Sequence, residues 1–384
     1  MVFLSKLMSS LRWALPAIAI VACVPAADVP AQTARGKYSP AQTRPAQSQQ
    51  TVVRKAEPPE SPRAVPAPPR PSKAFTDTIR FLGREFKGRV GIAVERVDAP
   101  DWKADWQGDL ALPQQSVSKL WVAMTVLDAR DRGRISLDQP VTLTRADLTL
   151  FHQPIAALIR GDAGYSTDVD ELLTRAMTMS DNTANDRLLR LAGGPEAVRA
   201  FISANGLGTI RFGPGERLLQ AGTAGLVWRQ ALSIGRAFYA ARAALPMPTR
   251  RNAFDSYVAN PPDGASASAI ASALARLKRG SLLSADSTRY LIGKMESSKT
   301  GRARLKGATP PGWTLAHKTG TGQDLAGETA GFNDVGILTA PDGTSYALAV
   351  LIGRTDRPVP QRQALMQAVV ATIVSNHKPD LSSD

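Results

Sequence analysis

The chain has 384 residues, of which 43% are apolar and 21% charged, a composition typical of a soluble globular protein. Its net charge is +14, but the basic residues are scattered. Residues 1–72 hold nine of them against three acidic residues. The sequence has no basic stripe with interleaved aromatic residues and no zinc-ligand spacing, so we expect no nucleic-acid partner. Its three histidines are far apart, so we also expect no metal and no cofactor.

The first 23 residues have the layout of an export signal. Lys6 and Arg12 precede an apolar run that ends at Cys23 and is too short to span a bilayer comfortably. The ending Ile-Val-Ala-Cys is similar to the lipobox of bacterial lipoproteins, in which the cysteine is lipid-modified. In the alternative, the signal is cut later, for example after Ala31, and Cys23 is incidental. Either way we expect export to the periplasm, with a membrane tether if Cys23 is lipidated.

A linker is predicted over residues 24–73. This stretch contains eleven prolines and no Leu, Ile or Phe, so it cannot bury enough surface to offset the entropy of an ordered chain. The catalytic domain is therefore expected at 74–384, stable without a disulfide because Cys23 is the only cysteine.

The predicted elements begin with a helix whose apolar residues recur from Phe75 to Phe86, with a start at Thr76-Asp77. Two alternating stretches then form a hairpin around an Ala-Pro-Asp turn. Helices fill the middle, and strand patterns return near the end. The later elements are strands at 88–97, 102–106, 313–317, 331–338 and 346–352, a turn at 341–343 and a last helix at 362–374. Strands at both chain ends predict one composite sheet beside an all-helical lobe.

Ser116 and Lys119 lie at the start of an apolar helix. Positions i and i+3 share one face of a helix, so the hydroxyl and the amine can come within hydrogen-bond reach. A serine is a weak nucleophile until a base takes its proton, and a partly buried lysine can be that base. The same spacing recurs at Ser375 and Lys378, where we give it no meaning.

Ser180-Asp181-Asn182 follows an apolar helical stretch. On a tight turn, Ser180 could relay a proton while Asn182 binds a substrate amide. The alternative is a simple helix N-cap, since this sequence also suits capping.

Lys318, Thr319, Gly320 and Thr321 follow the strand predicted at 313–317. A cation and hydroxyls at a strand edge can hold a carboxylate, and glycine allows close approach of the backbone. A second Lys-Thr-Gly at 299–301 lacks a preceding strand, so we set it aside.

The three motifs occur in the order found in class A serine β-lactamases and penicillin-binding proteins, and the sequence resembles the class A family over roughly residues 74–376. The similarity includes the stretches around Ser116, Ser180 and Lys318, and extends to Gly-Phe-Asn-Asp-Val-Gly-Ile-Leu at 331–338. It implies an α+β fold: a three-layer α/β/α sandwich with a five-stranded antiparallel sheet plus an all-helical lobe. It also implies a monomer acting on a small-molecule β-lactam.

The resemblance points to Glu216 as the general base on an omega-shaped loop that activates the deacylating water. The family usually has Asn where this chain has Gln220, so the water position is expected to shift by about an ångström, which can cost large rate factors. Asp186 stands where many members have Asn. It cannot donate to Glu216 unless the two carboxyls share a proton.

Gln115 and Asp186 together resemble the extended-spectrum branch, which accepts bulky cephalosporins. The segment 221–265 is about thirty residues longer than a compact member needs, and we predict an extra helix within it from Leu226 to Ala243. We interpret this segment as an enlarged loop near the site.

By resemblance, Lys119, or Glu216 through water, activates Ser116, and the backbone amides of Ser116 and Thr321 form the oxyanion hole. Ser180 protonates the leaving nitrogen, and Lys318, Thr319 and Thr321 bind the substrate carboxylate. Arg304 and Arg362 are both candidates for the assisting arginine. His152 is either at the site entrance or an ordinary surface histidine.

Two other functions remain open. A penicillin-binding DD-peptidase acting on peptidoglycan stem peptides shares all three motifs but leaves Glu216 idle. A tethered cell-wall-binding protein without turnover would use the site only for binding, and the intact Ser116, Lys119, Ser180 and Lys318 count against it.

Overall fold

The computed structural model describes residues 69–378. The predicted signal, the lipidation candidate Cys23 and all but the last residues of the 24–73 linker lie outside this range and stay predictions. The first helix begins at Lys73, because the Ser72 side chain accepts from the backbone N–H of Phe75 and caps it. The predicted start at Thr76-Asp77 is therefore corrected by one turn.

Helices form most of the chain between the strands of the sheet. Within residues 69–378 they are α1 (Lys73–Glu85), α2 (Lys119–Asp131), α3 (Val169–Thr174), α4 (Asn182–Leu191), α5 (Gly194–Ala204), α6 (Glu216–Thr223), α7 (Ala237–Ala244), α8 (Met247–Ala259), α9 (Ala267–Lys278), α10 (Ala285–Glu296) and α11 (Val359–Asn376). None of these helices combines the length and hydropathy needed to cross a bilayer.

The main sheet has five antiparallel strands in the order β2-β1-β11-β10-β7. The strands of the described range are β1 (Arg89–Arg96), β2 (Ala99–Trp106), β3 (Leu112–Pro113), β4 (Pro140–Leu143), β5 (Tyr165–Asp168), β6 (Gly264–Ala265), β7 (Thr314–Thr321), β8 (Asp324–Leu325), β9 (Glu328–Thr329), β10 (Phe332–Thr339) and β11 (Ser345–Arg354). The β1–β2 turn is at Val97-Asp98, so the predicted Ala-Pro-Asp turn is wrong by two residues.

The two faces of the sheet belong to two separate cores. In β1, Ile92 packs in the same cluster as Phe75 of α1 and Met366 of α11. Its neighbour Ala93 faces the other way and packs with Ile270 of α9. This alternation is the period-2 pattern of a strand that is buried on both sides. The predicted α+β class, with a sheet between helical layers and a helical lobe beside it, is confirmed.

The segment 221–265 does not contain the single helix predicted from Leu226 to Ala243. It forms a short 3₁₀ turn at Gln230–Ser233, then α7 and α8. Gly235 has φ +54°, a left-handed conformation that interrupts the helical path. Pro246 separates α7 from α8. The apolar side chains within the predicted helix lie instead on successive short elements and bury in one cluster, among them Leu232 and Phe238.

Candidate active site

Ser116 and Lys119 meet where a 3₁₀ turn (Gln115–Ser118) leads into α2. The Lys119 Nζ donates to Ser116 Oγ at 3.0 Å, as the i, i+3 spacing predicts. The same amine forms an ion pair with the Glu216 carboxylate. Lys119 is fully buried, so this carboxylate supplies the charge partner that a buried ammonium requires.

The Ser-Asp-Asn turn contains the helix N-cap that its sequence offered as one interpretation, and it also places Ser180 beside Lys318. Ser180 has φ +62°, a left-handed conformation that turns the chain between α3 and α4, and its Oγ accepts from Lys318 Nζ at 2.9 Å. Asp181 is the N-cap of α4 and accepts from the backbone N–H of Ala184 at 3.0 Å. The capping carboxylate therefore fixes the turn that brings Ser180 to Lys318.

Asn182 is buried beside this turn. Its Nδ2 donates to the Leu150 carbonyl at 2.9 Å, and its backbone N–H donates to the His152 carbonyl at 2.9 Å. Its Oδ1 is buried without a hydrogen-bond partner among the described residues. A buried acceptor of this kind is costly unless something binds it, which suits a group that meets a substrate.

The Lys-Thr-Gly-Thr motif lies within β7, so the prediction that it follows the end of a strand is wrong by four residues. Lys318 is fully buried. Burial, and next the positive charge of Lys119, lower its pKa well below the usual range of a lysine. Gly320 allows the close backbone approach that the motif predicts, because a Cβ there would lie 2.3 Å from the Gln114 carbonyl oxygen.

Glu216 begins α6, and Gln220 lies one turn later. The Gln220 Nε2 donates to Glu216 Oε2 at 3.2 Å and to Gln115 Oε1 at 3.1 Å. Its Oε1 accepts from Gln323 Nε2 at 3.2 Å. All four side chains are buried, so the glutamate has a fixed orientation behind the nucleophile.

Asp186 holds the backbone of the Glu216 turn rather than its carboxyl group. It accepts from the backbone N–H of Glu216 at 3.0 Å and of Arg217 at 3.3 Å. Among the described residues, no hydrogen bond joins the carboxyl groups of Asp186 and Glu216, so the proton expected to be shared between them is not observed. Burial, followed by the negative charge of Glu216, raises the pKa of Asp186 to about 6.

The two candidate arginines lie in different places. Arg304 donates from Nη1 to the Gly320 and Asn333 carbonyls at 3.0 and 2.6 Å, and from Nη2 to Thr321 Oγ1 at 2.6 Å. Burial lowers its pKa to about 10.

Arg362 does not line the pocket at Ser116, so its assignment to substrate binding is corrected. Its Nε donates to the Arg357 carbonyl at 2.5 Å, and its Nη1 donates to Thr329 Oγ1 at 2.7 Å.

These elements enclose a pocket of about 350 Å³ between the sheet and the helical lobe. Its wall brings together the predicted residues Ser116, Ser180, Asn182, Gln220, Arg304, Thr319, Thr321 and also His152. Lys119, Glu216 and Lys318 are buried directly behind this wall. Residues 69–378 contain no cluster of His, Cys, Asp and Glu side chains able to hold a metal ion.

The pocket also includes residues that the sequence analysis missed. Thr300 and Gly301, set aside with the second Lys-Thr-Gly, line it. The Thr300 Oγ1 lies 2.8 Å from Thr319 Oγ1, and a Cβ at Gly301 would lie 2.5 Å from the Thr319 methyl carbon. The available signal was the glycine itself, five residues after the end of α10. Phe151 and Met179 complete the apolar wall, and nothing in their local sequence marks them.

The fold and site together define a class of α+β enzymes in which a serine, paired with a buried lysine, opens onto a pocket beside an edge strand. The chain belongs to the beta-lactamase enzyme family, whose model matches residues 73–377. It is a hydrolase of the β-lactamase type.

Named relatives agree with this assignment. Extended-spectrum beta-lactamase PER-1 of Pseudomonas aeruginosa is 31% identical over 293 residues, covering 74% of this chain and 82% of the relative. Beta-lactamase VEB-1 of the same organism is 27% identical over 289 residues, covering 74% and 85%. The chain thus resembles extended-spectrum class A enzymes.

Solved structures share the fold. A beta-lactamase from Chitinophaga pinensis DSM 2588 superposes with a TM-score of 0.63 at 25% identity, covering 79% of this chain and 98% of that one. The TLA-3 extended-spectrum beta-lactamase gives a TM-score of 0.64 at 23% identity with the same coverage.

Proposed function

We propose that the chain hydrolyses β-lactam antibiotics through an acyl-enzyme on Ser116, which water activated by Glu216 then releases. The single observation that supports this most directly is the position of Lys119, 3.0 Å from Ser116 Oγ and ion-paired with Glu216. One buried amine thus connects the nucleophile to a carboxylate.

Acylation begins when Ser116 loses its proton and attacks the lactam carbonyl. Lys119 is the group in contact with Ser116 Oγ, and a lysine accepts a proton only in its neutral form. Glu216 can hold the proton that Lys119 gives up, which favours Lys119 over a water-mediated route as the direct base. The backbone amides of Ser116 and Thr321, both in the pocket wall, would stabilise the oxyanion.

Opening of the lactam ring requires a proton on the leaving nitrogen. Ser180 Oγ accepts a hydrogen bond from Lys318, whose lowered pKa makes it a better proton donor. Ser180 would therefore pass a proton from Lys318 to the nitrogen. The proton that Glu216 took from Lys119 then returns to Lys318, which restores the Glu216 carboxylate before deacylation. Thr319, Thr321 and Arg304 offer hydroxyls and a guanidinium to the substrate carboxylate.

Deacylation distinguishes this function from a penicillin-binding DD-peptidase. The Glu216 carboxylate contacts Lys119 and Gln220, and its main-chain N–H is held by Asp186. A buried carboxylate held by so many partners behind the nucleophile favours a working base over an idle one. Gln220 takes part through its hydrogen bond to Glu216.

The test follows a chromogenic cephalosporin over many enzyme equivalents, with the purified protein and its Ser116→Ala and Glu216→Gln variants. We expect sustained turnover by the parent and none by Ser116→Ala. Glu216→Gln should release about one equivalent and then stall with a covalent adduct, because loss of a general base typically lowers a rate 10²–10⁴-fold.

Other results would change the assignment. A one-equivalent burst by the parent itself would favour the DD-peptidase, and absence of any adduct would favour a binding protein. Turnover of Glu216→Gln at the parent rate would show that the deacylating base is a different residue.

A further inference from the structure

The long segment 221–265 reaches the catalytic serine through two residues that have no role so far, Tyr257 of α8 and Asp263 just after it. Both are buried. The Tyr257 hydroxyl lies 3.0 Å from Asp263 Oδ1 and 3.2 Å from Oδ2 and donates to this carboxylate. Its oxygen accepts from Gln115 Nε2 at 2.6 Å. The pair thus contacts the residue immediately before Ser116.

Asp263 also holds the main chain of Gln115. Its Oδ2 accepts from the Gln115 backbone N–H at 2.8 Å. Gln115 has φ +54°, in the left-handed region that non-glycine residues rarely adopt. Such a conformation persists only where surrounding contacts impose it, and here Asp263 and Tyr257 provide contacts to both the main chain and the side chain.

A chain of hydrogen bonds leads from this pair through two amides to Glu216, and each bond fixes the direction of the next. A carboxylate can only accept, so the Tyr257 hydroxyl donates its hydrogen bond to Asp263 and accepts one from Gln115. Gln115 therefore directs its NH₂ group to Tyr257 and its Oε1 to Gln220. Gln220 in turn must direct its NH₂ group to Gln115, and the same nitrogen donates to Glu216 Oε2.

Tyr257 keeps its proton throughout the working pH range. Burial, and next the negative charge of Asp263, raise the pKa of Tyr257 well above its usual value. The hydroxyl therefore remains a donor to Asp263.

We propose that Tyr257 and Asp263 are positioning residues that fix the direction of the two amides between them and Glu216, and thereby hold Glu216 ready to activate the deacylating water. This inference rests on the proposed function of Glu216. It gives the extra segment a specific task, which is to orient the base from behind rather than to contact substrate.

The first test is Tyr257→Phe, which keeps the ring and removes only the hydroxyl. Without that acceptor the Gln115 Nε2 keeps only the Ala330 carbonyl, at 3.1 Å, so the Gln115 amide is held less firmly. Its Oε1 then no longer fixes the Gln220 NH₂ group beside Glu216 Oε2. We expect deacylation to slow about 10- to 100-fold, because a displacement of about 1 Å at a reactive group can cost on the order of 10²-fold in rate. Acylation should stay within about threefold of the parent, so the acyl-enzyme should accumulate.

The matched control is Tyr290→Phe. Tyr290 also donates to a carboxylate, Asp170, at 2.5 Å, but it lies on α10 away from the pocket wall. Acylation and deacylation are measured separately by intact-protein mass spectrometry after rapid quenching, and thermal unfolding is recorded for each variant. Tyr290→Phe should keep both rates. In Asp263→Asn the new amide can donate as well as accept, so it no longer forces the Tyr257 hydroxyl to be the donor. This variant should show the same selective fall of the deacylation rate as Tyr257→Phe.

Two results would overturn the inference. One is a parental deacylation rate in Tyr257→Phe and Asp263→Asn. The other is an equal fall of acylation and deacylation, which would mean that the pair only supports the fold. Failure of the proposed function itself looks different, because the parent would then either form no adduct on Ser116 or form one that it does not release.

Discussion

Replacing Arg304 by alanine tests how the pocket recognises an anionic substrate. The Arg304 guanidinium lies 3.7 Å from the centre of the Phe332 ring and donates to the Gly320 and Asn333 carbonyls and to Thr321 Oγ1. These contacts hold a positive charge beside the hydroxyl that is proposed to meet the substrate carboxylate.

The size of the effect follows from these contacts. A hydrogen bond to a charged group contributes about 2–3 kcal/mol. Because about 1.4 kcal/mol corresponds to a factor of ten, the KM of Arg304→Ala for a carboxylate-bearing cephalosporin should rise roughly 30- to 150-fold. Loss of the hydrogen bonds to two buried carbonyls should also lower the free energy of unfolding by about 3 kcal/mol.

The assay compares a chromogenic cephalosporin with its methyl ester, which lacks the charge, well below the melting temperature of the variant. The KM for the acid should rise while the KM for the ester stays near the parent value. Arg362→Ala is the control, since Arg362 lies near the same ring, at 5.5 Å, but outside the pocket. Equal losses on both substrates, or an unchanged KM for the acid, would refute the reasoning.

Two further predictions concern stability and packing. Burial raises the pKa of Asp263 to about 6, so the folded chain keeps a proton between about pH 4 and 6 that the unfolded chain has released. We compare the free energy of unfolding of the parent with that of Asp263→Asn by urea titration at each pH. The parent's advantage should fall by on the order of 2–3 kcal/mol as the pH rises from about 4 to 6, and then level off. A difference that grows with pH would contradict this. Gly322→Ala should lower kcat/KM at least about tenfold, because its Cβ would lie 1.8 Å from the Ala330 carbonyl oxygen, beside Gln115. The control is Gly293→Ala in α10, whose Cβ would meet nothing within 4 Å. This variant should raise the free energy of unfolding by roughly 0.5–1 kcal/mol. Parental kinetics in Gly322→Ala would count against the packing argument.

Features that depend on local spacing could be predicted from the sequence. Ser116 and Lys119 are three residues apart, so a helical turn is enough to bring them together. The alternating strands at both ends of the chain were sufficient to predict a composite sheet. Local motifs supplied Ser180 and Lys318 as candidates and the resemblance supplied Glu216, and the structure places all three around the pocket at Ser116 and Lys119.

Features that depend on packing between distant segments could not be predicted. Gln115 and Asp263 are 148 residues apart, and no sequence pattern shows that one holds the other. The choice between Arg304 and Arg362 likewise depends on packing between distant segments, which places only Arg304 in the pocket wall. The extra helix was misjudged because apolar spacing cannot distinguish one helix from short elements that bury into a common cluster.

The strand order also gives the two edges of the main sheet very different surroundings. β7 forms one edge, and its Thr319 and Thr321 line the pocket. β2 forms the other edge, and its exposed positions include Pro100, Asp101 and Lys103. Proline and charged side chains on an outer strand discourage pairing with strands of other chains. The sheet can therefore keep one edge open for chemistry while the opposite edge resists aggregation.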